Sequence, residues 1–199
     1  MSAAIESAPL KLDRSTIAKM VRVLPGEFHV TAKPDLTIVT VLGSCVAACI
    51  RNPRTGFGGL NHFMLPESET EEWNGVGAAF RYGNFAMEAL INAVMKSGCA
   101  RHELEVKLFG GASMNGLMST VGLKNGEFAR NYLKSEGIQV VAADLGGNFG
   151  RRIQYSPSTG KVQRLLLKDR EIKALITEET SYQRSLKAAD VGGDIDLFD

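Results

Sequence analysis

The stretch LTIVTVLGSCVAACIRNPRTGFGGLNHFML, residues 36–65, alternates apolar runs with turn signals and sets the fold class of the chain. LTIVTVL (36–42) is dense in β-branched residues and reads as a buried strand that ends at Gly43-Ser44. VAACI (46–50) reads as a second strand, closed by the turn signal Asn52-Pro53-Arg54-Thr55-Gly56. FGGLNHFML (57–65) returns beside it and stops at Pro66. A strand followed by a hairpin predicts a sheet with antiparallel pairing at its heart.

Working outward, ESETEEWNGVG (67–77) is acidic and glycine-bearing, as a solvated loop would be. From Arg81 to Ser97 the apolar positions Met87, Leu90, Ile91, Val94 and Met95 recur at helical spacing, with Gly98 as the C-terminal stop. LEVKLF (104–109) alternates as a strand before Gly110-Gly111. A second helix is predicted over Glu127 to Ser135, and IQVVAAD (138–144) returns as a strand into LGGNFG. RRIQYS and KVQRLLL flank Pro157-Ser158-Thr159-Gly160 as a late hairpin. Upstream, Pro9, Pro25 and Pro34 interrupt any long element, so residues 1–24 read as an N-terminal arm. Residues 25–168 form the domain, and 169–199 a polar, partly helical tail. DVGGDIDLFD, the last stretch, carries Asp and no basic residue, which predicts a flexible acidic segment dispensable for folding. The fold class expected is α+β, or a mixed α/β sheet, in a single domain.

Composition narrows the function. The chain has 199 residues, 44% hydrophobic and 23% charged, enough for a core that needs neither disulfides nor metal to fold. Its formal charge of +1 and the lack of a basic stripe with interleaved aromatics argue against nucleic acid as partner. No apolar run reaches the length of a membrane span, and MSAAIESAPLKLDRS has no apolar core of a signal peptide. An odd count of 3 cysteines fits reduced thiols in a cytoplasmic setting.

Cys45 and His62 are the candidates for chemistry. A hairpin turning between Pro53 and Arg54 would set Cys45 directly across from His62, or one residue off if Gly56 forms a bulge. Opposed residues in such a pair have Cα atoms about 4.5–5.5 Å apart, within reach of a sulfur–imidazole contact. An adjacent imidazolium would lower the thiol pKa and give a nucleophile for carbonyl carbon. Backbone N–H groups exposed in the Gly43-Ser44 turn could then hold the oxyanion of a tetrahedral intermediate. The competing reading is a buried, inert thiol beside a hydrogen-bonded core histidine. Cys49 lies amid apolar residues and reads as core, too far along the strand from Cys45 for a disulfide or shared metal. Cys99 and His102 read as helix-end residues, no metal-ligand spacing is present, and the glycine pairs at 110–111 and 146–147 form no phosphate-binding fingerprint. They read as turns where backbone approaches something closely.

LGSCVAACIRNP followed by GGLNHFMLP resembles the chemoreceptor glutamine deamidases of bacterial chemotaxis, the CheD family. RYGNFAMEALINAV, KLFGGASM, VGLKN and DLGGNFGR extend the resemblance in order across most of the chain. It implies mixed β-sheets in a sandwich-like core with flanking helices, related to cysteine-dependent toxin deamidases. It also implies Cys45 as nucleophile and His62 as base, with a threonine before the cysteine as third member; Thr40 stands at that place, and Thr37 further back.

The activity so implied is that of a protein-glutamine glutaminase: hydrolysis of specific glutamine side chains on helices of methyl-accepting chemotaxis receptors. Each glutamate formed becomes available for methylation, and no cofactor or metal is called for. Relatives also suggest receptor methyl esters as substrates, and a CheC-type phosphatase as partner. Two other readings compete. One is a non-catalytic chemotaxis adaptor that binds receptors or such a phosphatase; the other is a cysteine hydrolase of small amides or esters.

Overall fold

The computed structural model describes residues 19–66, 78–113, 118–167 and 169–189. The acidic stretch 67–77 and the final segment 190–199 lie outside the described residues. Among those residues, strands β1 (Met20–Arg22), β2 (Phe28–Thr31), β3 (Thr37–Leu42), β4 (Val46–Arg51), β5 (Gly58–Asn61), β6 (Glu105–Gly110), β7 (Val140–Leu145), β8 (Arg151–Ser156) and β9 (Lys161–Leu166) build two sheets. One is 4-stranded in the order β1-β3-β8-β9, the other 5-stranded in the order β2-β5-β4-β6-β7. Each mixes parallel and antiparallel pairs. Helices α1 (Ala78–Met95), α2 (Met118–Ser135) and α3 (Asp169–Ala189) complete the architecture, an α+β fold as expected.

β4 explains the layering. Every residue from Val46 to Ile50 is buried, because both faces of this central strand are covered. Cys45, Ala47 and Cys49 face the first sheet and pack with Ile38, Leu42, Ile153 and Tyr155. Val46, Ala48 and Ile50 face the other way, against Leu90, Ile91 and Val94 of α1 and Phe128 and Leu133 of α2. A strand buried on both sides reads as a continuous apolar run rather than an alternation, which is how VAACI reads. Complete burial of an Ile or Leu side chain contributes about 1.5–3 kcal/mol, so this three-layer stack supplies most of the driving force.

Two expectations change. Residues read as an arm contribute β1, which runs parallel to β3 (Met20↔Thr37, Arg22↔Val39), and β2 follows, antiparallel to β5. These strands are too short, and too near Pro25 and Pro34, to show a period. The helix expected from Glu127 begins at Met118, and the helix expected from Arg81 begins at Ala78. The first turns of α2 carry Ser, Thr and Gly, whose low helix propensity hides them from a sequence reading. The late hairpin matches its expected strands, with Ser156↔Lys161 closing the turn.

Candidate active site

β3 and β4 belong to different sheets, and the chain crosses between them at Gly43, Ser44 and Cys45. This crossing brings the candidate residues together. Thr40, on the inner face of β3, is wholly buried between the sheets. His62 follows β5 in the opposite sheet and is 2% exposed. Thr40 Oγ1 lies 2.8 Å from His62 Nδ1 and 2.8 Å from the Val23 carbonyl, to which the hydroxyl donates. With its proton committed to Val23, the Thr40 oxygen accepts from Nδ1–H and fixes the tautomer. Nε2 keeps its lone pair free and, among the described residues, has no hydrogen-bond partner. Thr37, the more distant candidate, is remote from this cluster and faces Ser156 Oγ at 3.5 Å.

Cys45 and His62 do meet, though not through the expected register. β4 and β5 pair Cys49↔Leu60 and Arg51↔Gly58, and an isolated bridge links Val46 and Phe63. That register places Met64 opposite Cys45 and Ala47 opposite His62, two positions from the simple hairpin. The loop keeps more residues than a tight turn through Pro53 would need, since Asn52 N–H donates to the Phe57 carbonyl and Gly56 N–H to the Asn52 carbonyl. Thiol and imidazole still share one face as diagonal neighbours, a separation of about 7–8 Å between backbones that side chains can close. Cys45 Sγ, a ring nitrogen of His62 and a carboxylate oxygen of Glu179 all lie within 4.8 Å of one another.

Glu179 comes from α3 and is the residue the sequence reading missed. Its carboxylate is fully buried against the crossing. Oε1 accepts from Gly43 N–H at 2.9 Å and from Cys45 N–H at 3.2 Å. Oε2 accepts from Ser44 N–H at 3.0 Å and from Ser44 Oγ at 2.7 Å. The backbone donors expected to hold an oxyanion thus hold an anion. A Cys-His-Glu trio also suggests a metal ligand set, but four hydrogen-bond donors already engage the two oxygens of Glu179.

Burial, and after it the Glu179 charge and hydrogen bond, hold the Cys45 thiol well above its ordinary pKa. Burial also lowers His62 to about 3, against a weaker opposing pull from the Val23 carbonyl. The pair is therefore thiol and neutral imidazole. This corrects the expectation of a thiolate stabilised by imidazolium: burial disfavours both charged forms, and the Glu179 carboxylate adds to the cost of the thiolate. Were Cys45 to act as a nucleophile, proton transfer from Sγ to His62 would have to accompany its attack.

Other side chains hold the crossing in place. Asn125 of α2 donates from Nδ2 to the Ser44 carbonyl at 2.8 Å and accepts from Leu65 N–H at 2.8 Å, tying the cysteine turn to the segment after His62. Asn61 accepts from Ala48 N–H at 2.8 Å and donates to the Ala86 carbonyl at 2.9 Å. Gly110, at φ 110°, lies so close that a Cβ there would stand 2.1 Å from the Cys45 carbonyl oxygen, and Gly111 N–H donates to that oxygen at 2.7 Å. The 110–111 glycine pair thus lets β6 reach the cysteine backbone. Cys49 and Cys99 are buried and free, and neither joins the cluster.

The family described as CheD chemotactic sensory transduction matches residues 64–165. A protein of Hahella chejuensis named "Probable chemoreceptor glutamine deamidase CheD" is 47% identical over 90% of this chain and 85% of its own length. One of the same name from Thiobacillus denitrificans is 44% identical over 100% of both chains. Among solved structures, a hypothetical protein YfiH of Bacillus licheniformis aligns with TM-score 0.40 and 12% identity, over 59% of this chain and 49% of that one, too loosely to bear on the chemistry. With an ordered set of motifs, a buried Cys-His-Thr constellation and relatives matching along the whole of its length, the chain belongs to the CheD family.

Proposed function

We propose that this protein hydrolyses glutamine side chains of chemoreceptors to glutamate, with Cys45 as nucleophile, His62 as general base and acid, and Thr40 as the residue that orients His62. The observation that carries the reading is the hydrogen-bond chain from Val23 through Thr40 to Nδ1, which leaves Nε2 unprotonated and, among the described residues, unpartnered, with a ring nitrogen of His62 within 4.8 Å of the Cys45 thiol. Nε2 takes the proton from Cys45 as Sγ attacks the amide carbon. The oxygen that becomes negative is held by the N–H groups of Gly43 and Cys45, now seen donating to one carboxylate oxygen of Glu179. The imidazolium returns its proton to the departing nitrogen, and ammonia leaves. Water, deprotonated by the same imidazole, then cleaves the thioester and restores the thiol.

The reading places residues 25–168 as the deamidase domain, with the β1 segment lending Val23 to the site. It places the protein in the cytoplasm, where receptor signalling domains lie; among the described residues no helix is long and apolar enough to cross a membrane. A CheC-type phosphatase is the regulatory partner that the family likeness brings with it. Mass spectrometry of a chemoreceptor incubated with the protein tests the activity. Amide-to-acid conversion is expected with the wild type and none with Cys45→Ala. Conversion at equal rates would remove Cys45 from the mechanism, and none with either would leave the adaptor reading in front.

A further inference from the structure

Resting on that deamidase reading, we propose that α3 is a product analogue carried in the same chain: it fills the groove meant for a substrate helix and places Glu179 where the product glutamate stands. A glutamate is what glutamine hydrolysis leaves behind. Glu179 is a fully buried carboxylate whose oxygens are bound by the Gly43, Ser44 and Cys45 N–H groups and the Ser44 hydroxyl, with Cys45 Sγ and a His62 nitrogen close by. A purely structural carboxylate has no need to sit against a nucleophile and a base. It is also presented from a helix, the form in which the proposed receptor glutamines are presented.

α3 is seated by a narrow stripe. Ile172, Leu175, Ile176, Glu179 and Tyr182 recur at helical spacing on one side, while Lys173, Ala174, Thr177 and Ser181 on the other are exposed. Leu175 packs with Ala112 and Leu167, and the Tyr182 hydroxyl meets that of Tyr82. Two ion pairs at the margin, Arg22–Glu178 at 3.3 Å and Arg152–Glu171 at 3.4 Å, are solvent-facing and add little. The helix therefore closes the site, since Cys45 is wholly buried beneath it, yet it is held mainly by contacts a competing helix could replace. By the same geometry the groove selects a helix whose reactive glutamine is preceded by aliphatic residues at the places of Leu175 and Ile176 and followed by a large ring at the place of Tyr182.

A glutamine in place of Glu179 would fit as a substrate. Its carbonyl oxygen would take the Gly43 and Cys45 donors, and its NH2 would face Ser44, whose hydroxyl can turn to accept while the Ser44 N–H gives up its bond to Oε2. Cys45 Sγ would bond to the side-chain carbon, the C–N bond would break with the nitrogen leaving as ammonia on a proton from His62, and water would hydrolyse the thioester to carboxylic acid. E179Q in the full-length chain is therefore expected to convert its own introduced amide to acid. Peptide mass spectrometry would read this as NH2 replaced by OH, at a rate independent of protein concentration, and E179Q/C45A would keep the amide. In E179A, which loses the charge-assisted bonds, iodoacetamide should label Cys45 on the order of tenfold faster than in wild type, and receptor deamidation should rise. Receptor turnover by wild type with the E179Q amide intact and E179A labelling unchanged would overturn the inference and leave the deamidase reading standing. No receptor turnover by wild type or E179A would remove that reading and this inference with it.

Discussion

Thr40 Oγ1 has a single proton, and the Val23 carbonyl receives it, so this oxygen can only accept from His62. Thr40→Val keeps the shape of the side chain and loses both bonds, leaving Nδ1–H without its partner in a dry site. Losing one buried hydrogen bond costs about 1–3 kcal/mol, a rate loss of roughly ten- to a hundredfold where the bond orients the base. Thr40→Ser restores the hydroxyl and should recover most of the rate. Equal activity in the valine and serine variants would show that Thr40 only packs. Cys49 sits on the same strand face as Cys45, but burial pushes its thiol far up and it lies outside the Cys45–His62–Glu179 cluster. Cys49→Ala should cost about 1 kcal/mol of stability and leave the receptor-deamidation rate near wild type, a comparison read by thermal melting beside the activity assay.

Elements were legible to the degree that their burial is periodic. β3, β4 and the β8–β9 hairpin stand out because apolar runs alternate or continue between clear turn residues, and α1 because its buried stripe recurs at helical spacing. The Cys45–His62 pairing was legible as a meeting of faces but not as a register, since the number of residues a loop keeps depends on bonds such as Asn52 Oδ1 to Arg54 N–H, which no pattern displays. Glu179 did leave a trace: a charge in the middle of the stripe Ile172, Leu175, Ile176, Tyr182, where solvent-facing residues should not be. Its partners are backbone groups far away in sequence, so its role could be read only from the fold. β6 offers a test at this scale. Gly110→Ala adds a methyl group where the Cys45 carbonyl stands, at a backbone angle that favours glycine. The expected outcome is a lower melting temperature and loss of most activity together, because relief requires moving either β6 or the cysteine. A variant with wild-type melting and turnover would show that the crossing tolerates displacement.

At the scale of the whole molecule, the closed sandwich and α3 keep an imidazole and a thiol uncharged, and this links stability to pH. His62 titrates near 6.5 when exposed and near 3 in the fold, because burial disfavours the imidazolium. Between those values the unfolded chain binds a proton that the folded chain does not, so acidification favours unfolding. The stabilisation is complete above about pH 6.5 and is lost as pH falls toward about 3. Cys45 acts with the opposite sign at the alkaline end. Its raised folded pKa gives stability that is present below the ordinary thiol value of 9.0 and is lost as pH rises beyond it. Melting temperatures of the wild type and of His62→Gln, measured across the upper acidic window, isolate the first effect, since carboxylates with ordinary pKa values near 4 stay mostly ionised above about pH 5. The wild type should lose stability steadily as pH falls from about 6.5 toward 5, while the variant, with no group to charge at that position, should stay nearly level. Parallel curves would mean that the imidazole reaches water in the folded protein, and with it that the site is open at rest.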